Sequence, residues 1–141
     1  MGRTKAIQRR LVIASAAVAL VLALALSGVA LGAARSSVQI KAPKHVKAGH
    51  GVKLVFSGFA ARPSDVLAVL LDTRRCARTG TAEGKRSGVT ENDFTLKPGK
   101  RFRDTLSILS SSRGTHWVCA YVQVRRTLRT TARASAHYRT T

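Results

Sequence analysis

The fold of this chain is decided by the stretch His116–Val124, which reads HWVCAYVQV. Apolar residues stand at both alternating parities along it, and successive side chains of a β-strand point to opposite faces of the sheet. The pattern therefore predicts the strongest core strand of the protein. One face of that strand would carry Trp117, Cys119 and Tyr121, and the other Val118, Ala120 and Val122.

Short apolar runs separated by turn residues recur along the rest of the chain. Val52, Leu54 and Phe56 stand at every second position, as in a strand with one buried face. Between Asp65 and Asp72 the run VLAVLL is continuous, which predicts a central strand covered on both faces. Further strands are expected at residues 38–40, 94–96, 102–109 and 132–138, with turns at 47–51, 97–100 and 110–114.

This succession of strands and turns predicts an all-β fold. We expect an antiparallel β-sandwich of about six to eight strands that occupies residues 35–141 and contains no amphipathic helix. A domain of that length accommodates one small core. The segment 79–92 is polar and contains three glycines, so we expect it to be a loop or an irregular edge and the most mobile part of the domain.

The first 34 residues have the pattern of an export segment. Four cationic residues precede an uncharged apolar run, residues 11–34, which is long enough to cross a hydrocarbon core of about 30 Å as a helix. Cations before the run predict that residues 35–141 lie outside the membrane. Two alternatives stay open: a signal peptide that is cleaved after the strongly apolar part, or an uncleaved anchor. The expected location is accordingly extracellular or membrane-anchored.

Cys76 and Cys119 are the two cysteines of the chain. In an exported domain such a pair is expected to form a disulfide bond, and a loop of this length would gain roughly 4 kcal/mol of stability in the chain-entropy model. The alternative is a reactive thiol next to a histidine. His116 lies three residues before Cys119, and positions three apart on a strand face opposite sides, which argues against it.

The exported part is strongly cationic. Four of the 25 Lys and Arg residues lie in the first 34 residues and all six acidic residues lie after them, which leaves residues 35–141 a formal charge of +15. Such a charge predicts attraction to an anionic cell-wall polymer or to lipid headgroups, with a merely solvated basic surface as the alternative. The candidate contacts for a polyanion are Arg74, Arg75, Arg78, Arg125, Arg126 and Arg129. Few aromatic residues accompany the cations, and this together with export argues against an intracellular nucleic-acid partner.

No pattern in the sequence indicates catalysis or a bound cofactor. The chain has no Gly-x-Ser-x-Gly elbow, no Ser-x-x-Lys signature and no phosphate-binding glycine loop. Glu91 and Asp93 are the only acidic residues close to each other in sequence. The histidines, which lack the spacing of a metal site, are expected to be incidental; they are His45, His50, His116 and His137. We therefore assign no catalytic, cofactor-binding or metal-binding residue.

Three motifs resemble those of small exported bacterial immunoglobulin-like β-sandwich domains. They are Ala42-Pro43 with residues 46–49, the alternating stretch 52–58 that ends in Gly58, and the late strand 117–122. The resemblance spans about residues 36–141 and implies the sandwich fold. Trp117 stands where antibody-type domains have a tyrosine, and Cys76 follows the third strand instead of lying on the second. A fold resemblance of this kind implies no particular function.

Together these features predict an exported, non-enzymatic, cationic β-sandwich module with a binding or structural role at the cell envelope. Two alternatives belong to other functional classes. The first is a small secreted enzyme or enzyme inhibitor with its site in the 79–92 loop, and the second is a cationic envelope-active protein. The sequence does not specify the oligomeric state.

Overall fold

The computed structural model describes residues 34–63 and 65–141, which form a sandwich of two β-sheets. The elements are β1 (Ser37–Lys41), β2 (His45–Val46), β3 (His50–Ala60), β4 (Asp65–Asp72), the helix α1 (Gly80–Gly84), β5 (Thr90–Thr95), β6 (Lys100–Ser110), β7 (Gly114–Val124) and β8 (Thr130–Thr140). The predicted export segment lies, apart from Ala34, outside the described residues. Within the described part of the chain, no helix has the length and apolar character that spanning a membrane requires.

The smaller sheet has the strand order β1-β3-β6, and the larger has the order β2-β8-β7-β4-β5. The predicted all-β fold and the predicted number of strands are confirmed. The prediction of a wholly antiparallel sandwich is wrong at one place, since β2 pairs with β8 in parallel. Pro43 has no N–H to donate and lies beyond the end of β1. The chain then crosses to the other sheet and runs beside β8 before it turns into β3.

The segment 79–92, expected to be a loop or an irregular edge, contains α1 and the start of β5. Thr79 caps the helix, because its Oγ1 atom accepts a hydrogen bond of 3.2 Å from the Ala82 N–H. β5 pairs with β4, and its polar residues are compatible with a strand at the edge of the sheet. The prediction of an edge agrees with the place of β5, and the end of β5 overlaps the strand expected at 94–96. The prediction missed α1, which is too short to show helical periodicity, and the start of β5, which buries too little to show an apolar face.

The main core lies between the two sheets. β3 contributes Val52, Leu54 and Phe56, which are all buried, as the alternating pattern predicted. β4 and β7 contribute the inward parity of their own apolar runs from the opposite side, namely Leu67, Val69, Val118, Ala120 and Val122. The removal of this apolar surface from water is the main contribution to the stability of the sandwich.

The larger sheet is also covered on its outer side. A second cluster of buried residues there consists of Ala68, Leu70, Cys119 and Tyr121, against which Cys76, Val89 and Trp117 pack. The cover is the segment between β4 and β5, which we call the 73–89 segment. β4 is therefore buried on both faces, as its uninterrupted apolar run predicted.

Candidate functional site

The 73–89 segment is attached to the sheet beneath it by a disulfide bond between Cys76 and Cys119. Cys119 is fully buried in the middle of β7, and Cys76 lies at the beginning of the covering segment. These are the two cysteines that the sequence analysis paired. The bond fixes residues 75–77 above the outer face of β7.

A buried polar network holds the same segment from the side of α1. Glu83 is fully buried, and its Oε2 atom accepts hydrogen bonds from the Ala77 N–H and from the Tyr121 hydroxyl, the latter 3.1 Å away. The Tyr121 oxygen also lies 2.8 Å from the Ala77 carbonyl oxygen. Burial, and then the negative charge of Glu83, raises the pKa of Tyr121, so its hydroxyl stays protonated and acts as a donor.

Asp72, at the end of β4, forms the second half of this network. Its Oδ1 atom accepts hydrogen bonds from the Arg74 backbone N–H, at 3.0 Å, and from Arg74 Nε, at 3.3 Å. Arg86 Nη1 lies 3.4 Å from Asp72 Oδ2 and 3.3 Å from Glu83 Oε1. Burial alone would raise the pKa of Asp72, but the hydrogen bonds from Arg74 lower it to about 2. Arg74 and Arg86 are thus engaged within the protein.

A cleft of about 380 Å³ opens between the tethered residues and the strands β7 and β8. We call it the disulfide cleft. Arg75 comes from the tethered residues, Trp117, which is partly exposed, comes from β7, and Arg133 comes from β8, where its register partner is Tyr121. None of the residues that line it is acidic. The lining consists of Arg75, Cys76, Ala77, Trp117, Tyr121, Arg133, Ala134 and Ser135.

A second cavity, of about 650 Å³, is lined by the smaller sheet and by residues of the connection 42–47, which includes β2, and we call it the cationic groove. Because β3 turns Val52, Leu54 and Phe56 inward, Lys53 points to the outer side of the smaller sheet. Here too no lining residue is acidic. Four of the lining residues are cationic, namely Lys41, Lys47, Lys53 and Arg103, and two are histidines, His45 and His50.

The acidic residues lie where they do not neutralise this groove. Asp65, Asp72 and Glu83 are buried. Glu91 and Asp93 belong to β5 in the larger sheet, and they line neither the disulfide cleft nor the cationic groove. Asp104 lies on the inward face of β6, whereas Arg103 lies on its outward face. The outer side of the smaller sheet is therefore left with positive charge alone.

Arg74 and Arg125, one from each of the two arginine clusters predicted as polyanion contacts, lie far apart. Arg74 follows Asp72, whose register partner is Trp117, whereas Arg125 follows Val124, whose partner is Asp65. Arg74 and Arg125 therefore lie at opposite ends of the β4–β7 pair, whereas α1, which follows Arg78, is hydrogen-bonded through the Gly80 N–H to Thr130 at the start of β8. Arg125 lies in the hairpin between β7 and β8, which also carries Arg126 and Arg129. Its Nη2 atom donates a hydrogen bond of 2.6 Å to Thr95 Oγ1 on β5. Arg78 lies between Ala77 and the Thr79 cap of α1.

The structure brings together cations that the sequence analysis did not single out. Arg133 joins Arg75 at the disulfide cleft, and Lys41, Lys53 and Arg103 share the cationic groove. A signal for the groove was present in the sequence. Lys53 has the parity opposite to the apolar positions of its strand, and Arg103 has the parity opposite to Phe102 and Leu106.

The histidines do not assemble into one site. His45 and His50 line the groove, His116 stacks on Tyr138 with ring centres 5.1 Å apart, and His137 lies against Trp117 at 5.0 Å. In residues 34–63 and 65–141, one group of three potential metal ligands occurs, Cys76, Glu83 and Cys119. Its two sulfur atoms are bonded to each other and its carboxylate is fully hydrogen-bonded within the protein.

No model of a known protein family matches the chain, and no curated protein matches it. Two solved structures of the CARDB domain of PF1109 from Pyrococcus furiosus do. The solution structure is 15% identical, with a TM-score of 0.56 over 75% of this chain and 94% of that domain. The crystal structure, a complex with di-metal ions, is 14% identical, with a TM-score of 0.57 over 82% and 96%. This chain shares their fold.

The likeness confirms the immunoglobulin-like β-sandwich that the sequence motifs implied. CARDB domains are sandwiches of this type, and almost the whole length of the Pyrococcus domain is covered. At this level of identity the similarity concerns the fold alone.

Proposed function

We propose that the chain is an exported, non-enzymatic β-sandwich module that binds an anionic polymer of the cell envelope through the cationic groove. The observation that carries this proposal is the groove's lining, in which four cationic residues occur with no acidic residue. The groove is also the larger of the two cavities described above. Its size suits a chain-like ligand that lies across the sheet.

The spacing of the cations supports a polymeric ligand. Lys41 on β1 is paired with Val55, so Lys53 is its diagonal neighbour on β3, about 7–8 Å away. Arg103 lies on β6, on the other side of β3, opposite Ser57. The three cations thus sit on three adjacent strands. A polymer that carries a negative charge on each repeating unit would meet them in succession.

Export is supported by two independent features. The apolar run at residues 11–34 has the length and the charge asymmetry of a signal or anchor. The disulfide bond is the second feature, because such bonds persist in oxidising compartments. An enzymatic role is not part of the proposal, since the chain has none of the catalytic motifs sought above.

The test is the binding of the purified protein to poly(glycerol phosphate), with a neutral glucan as the reference polymer. We expect retention on the anionic polymer alone, and a steep fall when the ionic strength is raised from about 0.05 M to about 0.5 M. The variant Lys41→Gln/Lys53→Gln/Arg103→Gln should lose about tenfold or more in affinity. A matched control removes the same charge at the predicted hairpin cluster, as Arg125→Gln/Arg126→Gln/Arg129→Gln.

The control distinguishes binding in the groove from a non-specific attraction to the net positive charge of the protein. Equal losses in the two variants would show that the overall charge of +15 acts without a site, and the groove would then be rejected. Binding that ignores salt would reject the electrostatic proposal altogether. Anionic vesicles in place of the polymer identify a lipid surface if they alone retain the protein.

A further inference from the structure

We propose that the disulfide cleft is a separate binding site for a carboxylated sugar, a hexuronate, with its ring on Trp117 and its carboxylate between Arg75 and Arg133. This site is on the larger sheet and shares no lining residue with the cationic groove. It does not depend on the function proposed above.

Two arginines define the anionic end of the ligand. Arg75 and Arg133 are both exposed and line the same cleft, and no acidic residue lies among its lining residues to neutralise them. A guanidinium binds a carboxylate through two parallel hydrogen bonds, which fixes orientation as well as charge. Arg74, the neighbour of Arg75, is by contrast bonded to Asp72.

Trp117 defines the ring end of the ligand. Its side chain is only partly exposed, and His137 lies 5.0 Å from it, centre to centre, at an angle of 41°. An indole offers a large apolar surface and one N–H donor, which suits the apolar side of a sugar ring that also carries hydroxyl groups. Ser135, on the neighbouring strand, adds a hydroxyl that both donates and accepts.

The size of the cleft favours one sugar unit. A volume of about 380 Å³ is near the lower end of the range for small-molecule sites. For a ligand of about a dozen non-hydrogen atoms, ordinary ligand efficiency corresponds to a dissociation constant of about 1 mM. A single uronate would therefore bind weakly, and a polysaccharide that presents it repeatedly would bind more tightly.

The disulfide bond makes the site depend on oxidation. Arg75 is adjacent to Cys76, and the bond to Cys119 holds this part of the chain above β7. The wall that carries Arg75 thus comes from a segment that does not belong to the sheet. Reduction would remove the covalent attachment of that wall and leave its hydrogen bonds, such as that from Arg86 Nη1 to the Arg75 carbonyl oxygen, while Arg133 and Trp117 would keep their places on β8 and β7.

The test uses the fact that Trp117 is the one tryptophan in the whole chain. Intrinsic tryptophan fluorescence of the intact protein therefore reports on this cleft directly. We expect glucuronate to change the emission in a saturable way, with a midpoint of about 1 mM. Glucose at the same concentration, and sodium chloride at the same ionic strength, should leave the emission unchanged. Arg75→Gln and Arg133→Gln should each weaken the effect about tenfold.

Both variants replace exposed side chains, so their unfolding curves should match that of the parent protein. The matched control is Lys53→Gln/Arg103→Gln in the groove, which should bind glucuronate like the parent. The proposal is overturned if glucuronate has no effect up to about 20 mM. A response to glucuronate in both arginine variants as strong as that of the parent protein would overturn it as well. Neither result would bear on retention by poly(glycerol phosphate), which tests the groove.

Discussion

The Tyr121 hydroxyl and the Glu83 carboxylate are 3.1 Å apart in a fully buried contact between β7 and α1. A charged group in such a place is tolerated only if its hydrogen bonds are satisfied. Glu83 meets this condition through Tyr121, the Ala77 N–H and Arg86. The contact makes Glu83 a structural residue that fastens the 73–89 segment.

We therefore expect Glu83→Gln to destabilise the protein, because the amide replaces an acceptor of three hydrogen bonds with a group that is half donor. The expected loss is about 1–3 kcal/mol in the free energy of unfolding. Tyr121→Phe should cause a loss in the same range, because it removes the hydroxyl group that donates a hydrogen bond to Glu83. Urea unfolding followed by circular dichroism measures both. The exposed Glu91→Gln, expected to change stability by less than about 0.5 kcal/mol, is the control.

The low pKa of Asp72 predicts how the free energy of unfolding depends on pH. Its pKa in the folded protein is about 2, below the ordinary value of 3.8. The ionised Asp72 carboxylate therefore makes its full contribution to stability above about pH 4, and this contribution is lost as the pH falls towards 2. Its size is on the order of 2 kcal/mol. Urea unfolding at a series of pH values should show this decline, and Asp72→Asn should flatten it.

The exposed Asp93 provides the comparison for this titration. Asp93→Asn should keep the slope of the parent protein between about pH 4 and pH 2. If Asp72→Asn kept the parental slope as well, Asp72 would not be the source of the acid sensitivity.

Removal of the disulfide bond should lower stability without abolishing the sandwich core. The loop between Cys76 and Cys119 spans 43 positions, for which chain entropy predicts roughly 4 kcal/mol. We expect Cys76→Ala/Cys119→Ala to unfold at a lower urea concentration than the parent. The parent in the presence of a reductant should behave in the same way. Identical curves for the parent with and without reductant, once free thiols had been counted, would contradict the prediction.

Gly58 is predicted to be intolerant of any side chain. A Cβ atom at this position would lie 2.0 Å from the Ser37 carbonyl oxygen on the paired strand β1. Gly58→Ala should therefore push β1 away and cost about 2 kcal/mol or more. Gly51 lies on the same strand with no atom within 4 Å of such a Cβ, so Gly51→Ala is the matched control. Thermal unfolding of the two variants would show equal midpoints if the steric argument were wrong.

The parts of the fold that were predicted correctly are those in which the signal is local. β4 buries one complete parity of its side chains, and β3 and β7 each bury at least three successive side chains of one parity, so a period of two can be read within a few residues. α1 and the first part of β5, residues 90–93, were missed for the converse reason. What stabilises α1 is the Thr79 cap and the burial of Glu83 against Tyr121, a residue 38 positions away.

The candidate sites were predicted less well than the strands. Clusters of arginines in the sequence directed attention to Arg74 and Arg125, which are bonded to Asp72 and Thr95. The cations that line a common cavity are far apart in the chain, as with Lys53 and Arg103. Proximity in sequence was thus a poor guide to shared surfaces, because neighbours in a sheet are set by strand order.

By itself the sequence determined the all-β class, the alternation that fills the core, and the pairing of Cys76 with Cys119. Each of these follows from residue type at a local period, or from there being just two cysteines. The tertiary structure alone decided that Arg75, Trp117 and Arg133 line one cleft, and that Lys41, Lys53 and Arg103 line one groove. The physical reason is that hydrogen-bond register and layer packing, which no local pattern encodes, choose the neighbours of each exposed side chain.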